Sequence, residues 1–587
     1  MSPLGGSGWL DTLTGGLAAT LDEHGFLVEP GDVRRCTPDD HYAQVFTALA
    51  LQVRPWHGDW RRPLEAWASL PPARRGHEPF NRLGLLILQQ RLQRSAAPAD
   101  DQHRVRRALE GCPLRRAYPS NNWTLLAATV RLLEAPTLRA ERRRAHRLAR
   151  LAEGWMTRAG GFVDFPAVPG HHPATPAAYH FKALLCLWLA ACRVDDPRIH
   201  RLLARAMGWL GLVGTRAGYC GGLGRSNHAL FGDACLLAVL QGVRWAGEKR
   251  GCGDAEHWRR LSEAIEERLD GQRREDGLFW LTPAGAEDVA GGWDRYMHLS
   301  VYNAWMAGLL SVVANRDPML TAGRPPGRGQ VLGMGNGEGG DSVWVDEQAG
   351  LVRVEGRDWS VGVSLHGQAV QGYSRSEGDL RASAGLPFHV EVEGEAVLAP
   401  PARQSASQWR ARPWQAGWLL LVASGEIVYG PLQFERAGWS RRAEGLAWWG
   451  EGVPRALWAT GAGGGWARLR DAIDWRVLGG ALQRRRGIKP AGLSGHRWRL
   501  EMDWHGPSRR LRARWTLFGC PGSAARLLNP GGWAILQPAS PPATPLSDVI
   551  GSAPSSLGPL SAGAGGPECP WPDEEQVFEA TVRLANR

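Results

Sequence analysis

At 587 residues the chain exceeds the size at which a single hydrophobic core keeps growing, so two or more domains are expected. Its composition is that of a globular protein, 43% hydrophobic and 22% charged, and no apolar run is long enough to span a bilayer. The formal charge of +11 points to an anionic partner, but the arginines are spread along the chain without zinc-finger spacing, an RNP-like strand or a basic-region heptad, which disfavours nucleic acid.

The N-terminal "MSPLGGSGWLDTLTGG" has no basic stretch followed by an apolar one, so no signal peptide is legible. The chain is therefore expected to be cytoplasmic and not membrane-bound, with export by another route left open. From about residue 40 to 315 it reads as helix after helix. "FNRLGLLILQQRL" (80–92), "NWTLLAATVRLL" (122–133), "YHFKALLCLWLAAC" (179–192), "NHALFGDACLLAVLQ" (227–241) and "VYNAWMAGLLSVVA" (301–314) are apolar on most faces and expected to be buried. Between them, 138–156 and 197–213 are amphipathic, and "ERRRAHRLAR" (141–150) reads as the solvated face of an outer helix. Buried and half-exposed helices alternating through short loops predict two concentric layers, an incomplete (α/α) toroid, over residues 1–314. In such a ring the N-termini of the inner helices gather at one mouth. Residues 315–341, rich in Gly and Pro, read as a linker. From 342 to 587, short alternating runs such as 359–365 and 418–430, punctuated by turns, predict an antiparallel β-sandwich, with 538–568 as a long loop and 576–584 as a returning strand.

Nine cysteines without a CxxC pair imply neither a zinc clamp nor a redox motif, and Cys186, Cys192 and Cys235 lie in apolar runs as buried thiols. No ligand spacing implies a metal or an organic cofactor, and oligomeric state is not legible. The 29 tryptophans suit either core packing or a carbohydrate cleft.

Three of the apolar helices carry a polar cluster at or just before their first turn: "SNNW" (120–123), "HHPATPAAYH" (171–180) and "GRSNH" (224–228). Ser120 and Ser226 are natural N-caps, but three clusters at one mouth also suit an anion at the positive ends of helices. Asn, His, Tyr and Arg together, without a carboxylate pair, match β-elimination from a uronate. That reaction needs donors for the carboxylate, a base for the C5 proton and an acid for the leaving O4.

On "NNWTLLAATVRLL" followed by "PATPAAYHFKALLCLWLA", the chain resembles the heparinase II/III-like lyases. The order Asn, then His and Tyr, then Gly-Arg-Ser is similar to the hyaluronate/chondroitin lyase family. The motifs span about 110 residues; the likeness in architecture covers most of the chain. The resemblance implies an α/α toroid followed by antiparallel sheet, and cleavage of an anionic, uronate-containing polysaccharide or oligosaccharide. It assigns carboxylate binding to Asn122, with Asn121 adjacent, proton transfer to Tyr179, the family histidine to His171 or His172, and the family arginine to Arg225. His180 is placed at the site beside Tyr179 or packing beneath the mouth, and Asn227 and His228 belong to the Gly-Arg-Ser segment. His366 is the candidate for a histidine from the β part. Trp293, Tyr296 and His298 either line the cleft or pack.

Two other classes remain. A glycoside hydrolase on the same scaffold needs a carboxylate pair, with Asp164, Asp233, Asp288 and Asp294 as candidates. A binding protein that kept the scaffold would keep the charge and the tryptophans too.

Overall fold

The computed structural model describes residues 5–30, 42–165, 172–214, 222–226, 229–250, 255–281, 298–324, 342–368, 380–393, 395–396, 406–411, 413–416, 419–457, 469–470, 473–474, 477–478, 481–482, 492–528, 569–570 and 572–583. Thirteen helices come first: α1 (Gly5–Ala19), α2 (Ala43–Val53), α3 (Arg61–Ser69), α4 (Glu78–Arg94), α5 (Ala99–Glu110), α6 (Asn121–Leu133), α7 (Leu138–Gly154), α8 (Ala177–Arg193), α9 (Pro197–Val213), α10 (Leu230–Arg250), α11 (Ala255–Asp270), α12 (Leu299–Ala314) and the short α13 (Pro318–Thr321).

The even-numbered helices α2 to α12 pack as successive neighbours, and α12 packs on α2, so the inner layer closes on itself. The odd-numbered helices lie outside, and α1, in a Gly-rich stretch not read as a helix from the sequence, packs against α12 and α2. The expected ring is thus present, but closed rather than incomplete. Burial follows the sequence pattern. α8 is buried from Ala177 to Ala191, whereas α7 buries only Ala140, Ala145, Leu148, Ala149 and Ala152 and turns its arginines outward. Thr137 and Asp196 cap α7 and α9 by accepting bonds from Ala140 N–H (3.2 Å) and Arg198 N–H (2.8 Å).

Three of the outer-to-inner connections open with the same hairpin. Its β-bridges are Leu21–Leu27 after α1, Met156–Phe162 after α7 and Arg273–Phe279 after α11. Each turn holds a glycine in the left-handed region: Gly25 (φ +85°), Gly160 (+108°) and Gly277 (+82°). A Cβ there would also lie 2.8 Å from Arg62 O, 2.3 Å from Arg205 O and 2.9 Å from Thr12 O, so each hairpin seats on the next outer helix: α3, α9 and, closing the outer layer, α1.

Each hairpin is latched by a polar side chain of the inner helix that follows. Gln44 accepts from Leu27 N–H (3.0 Å) and donates to Gly25 O (2.9 Å). Asn303 accepts from Phe279 N–H (2.7 Å) and donates to its carbonyl (2.9 Å). At the third, His180 Nδ1 accepts from Phe162 N–H (3.2 Å).

Fifteen strands follow: β1 (Ser342–Asp346), β2 (Leu351–Glu355), β3 (Trp359–Ser364), β4 (Leu386–Val392), β5 (Glu395–Ala396), β6 (Val422–Ser424), β7 (Ile427–Gly430), β8 (Arg436–Arg442), β9 (Gly445–Gly452), β10 (Arg455–Leu457), β11 (Arg497–His505), β12 (Arg510–Phe518), β13 (Arg526–Leu527), β14 (Cys569–Pro570) and β15 (Gln576–Arg583). They form three antiparallel sheets, ordered β1-β2-β3-β4-β5, β10-β7-β6-β13-β14 and β15-β12-β11-β9-β8, rather than the two facing sheets expected of a sandwich. All three contribute to one core around Val361, Leu421, Trp448, Trp498 and Trp515. The strand expected at 576–584 is present as β15; the long loop expected at 538–568 lies outside the described residues. Of the expected linker, 318–321 is α13 and 325–341 is outside them.

The first sheet docks on α9. Asp346 accepts from Trp209 Nε1 (3.0 Å) and Thr157 Oγ1 (2.6 Å). Most large tryptophans, including Trp188, Trp209, Trp305, Trp498 and Trp515, are fully buried, which settles their use as packing. No helix among the described residues is long and apolar enough to cross a membrane.

Candidate active site

The first turns of the six inner helices meet. Tyr42, just before α2, stacks on Phe80 of α4 (4.4 Å, 7°), and Phe80 meets Trp123 of α6 edge-on (6.2 Å). Lys182 of α8 donates to Asn122 of α6. Tyr179 of α8 faces Phe231 of α10 (6.1 Å), which packs on Tyr302 and Trp305 of α12 (5.5 and 5.4 Å), and Trp305 returns to Tyr42 (5.4 Å). Inner helices starting at one end place their unbonded N–H groups and positive dipole ends around one mouth. His77 and Trp123, in contact at 4.2 Å, are half-buried on its rim.

Within this mouth a chain of charged and polar groups runs from a buried amine to a phenol. Lys182 donates to Asn122 Oδ1, Asn122 Nδ2 donates to Asp164 Oδ1, and Arg225 donates to Asp164 Oδ2 through Nε (2.9 Å) and Nη2 (2.7 Å). The Arg225 guanidinium lies 4.1 Å from the centre of the Tyr179 ring and 5.0 Å from that of Phe165, and the Tyr179 hydroxyl is 3.3 Å from Ser226 Oγ.

The local sequence accounts for each position. Ser120 accepts from Trp123 N–H (3.4 Å) and starts α6, which carries Asn122 inward. Asp164 ends the strand of the α7 hairpin, where its backbone carbonyl accepts from Asn121 N–H (3.0 Å). Gly224 (φ +76°) and Ser226 (φ +54°) turn the 222–226 loop back over α8, and the Leu223 carbonyl accepts from Ala177 N–H (3.0 Å). A Cβ on Gly224 would meet Pro176 Cα at 2.9 Å, so only glycine brings Arg225 this close to Tyr179.

Burial lowers the Lys182 pKa to about 8, against partial compensation from Cys186 and Asp164. An unfolded lysine stays protonated to about 10.4. The folded ammonium therefore weakens stability at neutral pH, and this penalty is relieved as pH rises from about 8 toward 10. A buried charge kept against its solvation is a mark of functional sites.

The sequence candidates fare differently. Asn122, Tyr179 and Arg225 come together as described. Asn122, expected to bind a carboxylate directly, is instead enclosed, with Lys182 on its oxygen and Asp164 on its amide. Asn121 turns away and donates to Val163 O (2.8 Å). His180, placed with the site residues, is a core residue: its Nδ1 holds the α7 hairpin and its Nε2 donates to Ala206 O (3.0 Å), the role Gln44 and Asn303 play elsewhere in the ring. His172 accepts or donates at the Gln348 carbonyl (2.9 Å) and stacks on His366 (3.6 Å, 12°), so the two histidine candidates, one from each half of the chain, meet at the seam between helices and strands. His366 Nδ1 is 3.0 Å from Phe434 O; burial, with His172 alongside, lowers its pKa. His298 precedes α12 at the mouth. His171, Asn227, His228, Trp293 and Tyr296 lie outside the described residues.

Of the hydrolase candidates, Asp164 is in the cluster. Asp233 faces the outer helix α11 and pairs with Arg268 (2.8 Å); burial raises its pKa. Asp288 and Asp294 lie outside the described residues. Among the described residues no group of three or more His, Cys, Asp and Glu is placed to hold a metal. Lys182, Trp123, His77 and Tyr42 were not anticipated, because each reads in sequence as part of an apolar or capping stretch.

His180 allows a test that separates packing from chemistry. Burial holds its pKa near about 3, whereas an unfolded histidine titrates near 6.5. Its contribution to stability is complete above pH 6.5 and is lost as pH falls toward 3, at about 1.4 kcal/mol per pH unit. His180→Gln is expected to abolish that acid sensitivity in urea melts and cost about 1 kcal/mol at pH 7. A variant that melts with the wild-type pH dependence overturns the assignment.

Compared by sequence, the chain matches no family model and no curated protein. Compared by structure, it is similar to a polysaccharide lyase (13% identity, 54% of this chain, 99% of that one, TM-score 0.35). It is also similar to a glycosyl hydrolase family 88 protein from Bacteroides vulgatus (12% identity, 53% of this chain, 99% of that one, TM-score 0.36). A third likeness is to a possible GH105 family member from Klebsiella pneumoniae (12% identity, 54% of this chain, 94% of that one, TM-score 0.38). Overlap this slight carries no weight on the reaction.

Proposed function

We propose that the chain is a carbohydrate-active enzyme of the polysaccharide lyase class, acting on a uronate-containing polymer or oligosaccharide by β-elimination. Residues 1–314 would form the catalytic domain, 315–341 the linker and 342–587 a β domain against its flank. The observation that carries the reading is the guanidinium of Arg225 held 4.1 Å over the Tyr179 ring by its ion pair with Asp164, at a mouth of helix N-termini.

In this reading the substrate carboxylate faces Arg225 and the helix N-termini, which spread the charge of the enolate formed at C5. Tyr179, as phenolate, takes the C5 proton. The C–H electrons form the C4–C5 double bond, the C4–O4 bond breaks, and the proton passes to O4 from the same phenol. Asn122 and Asp164 position Arg225 rather than touch substrate. His171, His172 and His366 would contribute from the seam.

A glycoside hydrolase is favoured by one observation, that Asp164 lies within the cluster. Both of its oxygens are already bonded, to Asn122 and to Arg225, and Asp233 points to the outer layer. Ultraviolet absorbance during incubation with glucuronans, glycosaminoglycans, alginate and bacterial exopolysaccharides tests the choice. Elimination gives a conjugated double bond and rising absorbance. Reducing ends released without it refute the lyase and favour the hydrolase.

A further inference from the structure

The Tyr179 cluster carries more positive than negative charge. Its cations are Arg225 and Lys182, and its one carboxylate is Asp164. The other titratable groups packed around Lys182 are uncharged at neutral pH: burial pushes the Cys186 thiol up to about 11 and the Cys235 thiol higher still, and raises Tyr42. Asp233, the nearest further carboxylate on α10, is matched by Arg268. Among the described residues the enclosed cluster is therefore left with one positive charge in excess.

Lys182 is also incompletely satisfied. It is 1% exposed, yet one of its three donors meets Asn122 Oδ1, and its remaining contacts are the rings of Phe80 (4.6 Å) and Phe231 (6.0 Å). A buried ammonium with a single acceptor is costly and is rarely retained for packing alone. Lying one turn below Tyr179 on the same face of α8, it fixes the Asn122 amide so that its nitrogen meets Asp164, and Asp164 in turn sets Arg225 over the phenol.

We propose that Lys182 is the positioning residue that sets the ligand charge at this mouth: its buried ammonium, acting through Asn122, Asp164 and Arg225, selects a sugar bearing one carboxylate over the neutral sugar. The proposal rests on reading the mouth as a uronate site, but it concerns binding and does not require elimination.

The test is calorimetric titration of the full chain with glucuronate and with glucose at pH 7, for wild type, Lys182→Met and Lys182→Arg, each checked for folding by circular dichroism. Wild type is expected to bind glucuronate and to discriminate against glucose. Lys182→Met should weaken glucuronate binding by roughly 10- to 100-fold with little effect on glucose, and Lys182→Arg should restore most of the preference. Should the Met variant not fold, unaltered protein serves: its preference for glucuronate should decline between pH 7 and 9 as the ammonium loses its proton. Equal binding of the two sugars, no binding of glucuronate, or a preference unchanged in folded Lys182→Met and across that pH range overturns the proposal. Glucuronate selectivity without double-bond formation on any polymer would sink the lyase reading and leave the role of Lys182 standing.

Discussion

Tyr179→Phe is expected to lower elimination turnover by about 10²- to 10⁴-fold, the range that a positioned acid/base supplies. The substitution leaves the ring, so Arg225 keeps its stacking partner and its ion pair with Asp164. Losing one buried hydroxyl contact, to Ser226, costs about 1 kcal/mol. The expected pattern is therefore a low kcat, a KM within a few-fold of wild type and a nearly unchanged melting temperature, read from the rise in ultraviolet absorbance. Full turnover in the Phe variant would remove Tyr179 from the chemistry.

Asp164→Ala is expected to be the most damaging change to stability at the site, at about 3–5 kcal/mol in urea unfolding, because it strands Arg225 and leaves the Asn122 amide without its acceptor in a buried setting. Asp164→Asn keeps the shape and one acceptor oxygen and should lose roughly half as much. The double variant Asp164→Ala with Lys182→Met removes one stranded cation as well, so the two effects should be less than additive. Strict additivity would mean that the chain from Lys182 to Arg225 is not energetically connected.

Much of the helical half was legible because burial leaves a plain trace in composition. The apolar run from Tyr179 to Cys192 can only be an inner helix, and the arginines of α7 only an outer face. The gathering of Asn122, Tyr179 and Arg225 followed from the direction of successive inner helices. What escaped were features fixed by long-range contact. Asn122 looks the same in sequence whether its amide meets a ligand or Asp164, and Lys182 sits in an apolar helix with nothing to mark the acceptor on α6. The role of His180 was available from the chain itself, since "DEHGFLVEP" (22–30), "TRAGGFVDFP" (157–166) and "REDGLFWLTP" (274–283) are variants of one hairpin, each followed by a polar side chain in the next inner helix. The sandwich expectation failed because alternation reports that strands have an inner and an outer face, and three sheets around one core satisfy it as well as two.

Closure of the ring between α12 and α2 has a consequence for how the protein is made. Tyr42 cannot meet Trp305, nor can the Glu29 carboxylate receive the N–H of Ser300 (3.1 Å), until the last inner helix has left the ribosome. Chains emerge at about 5–20 residues per second, so the first helices wait tens of seconds with apolar faces uncovered. The arc from α6 to α10, which carries Asn122, Tyr179 and Arg225, can form during that interval from neighbours close in sequence. Nascent chains stalled before α12 are thus expected to hold the reactive cluster in an open arc that binds chaperones, and release of α12 to convert it into the closed ring.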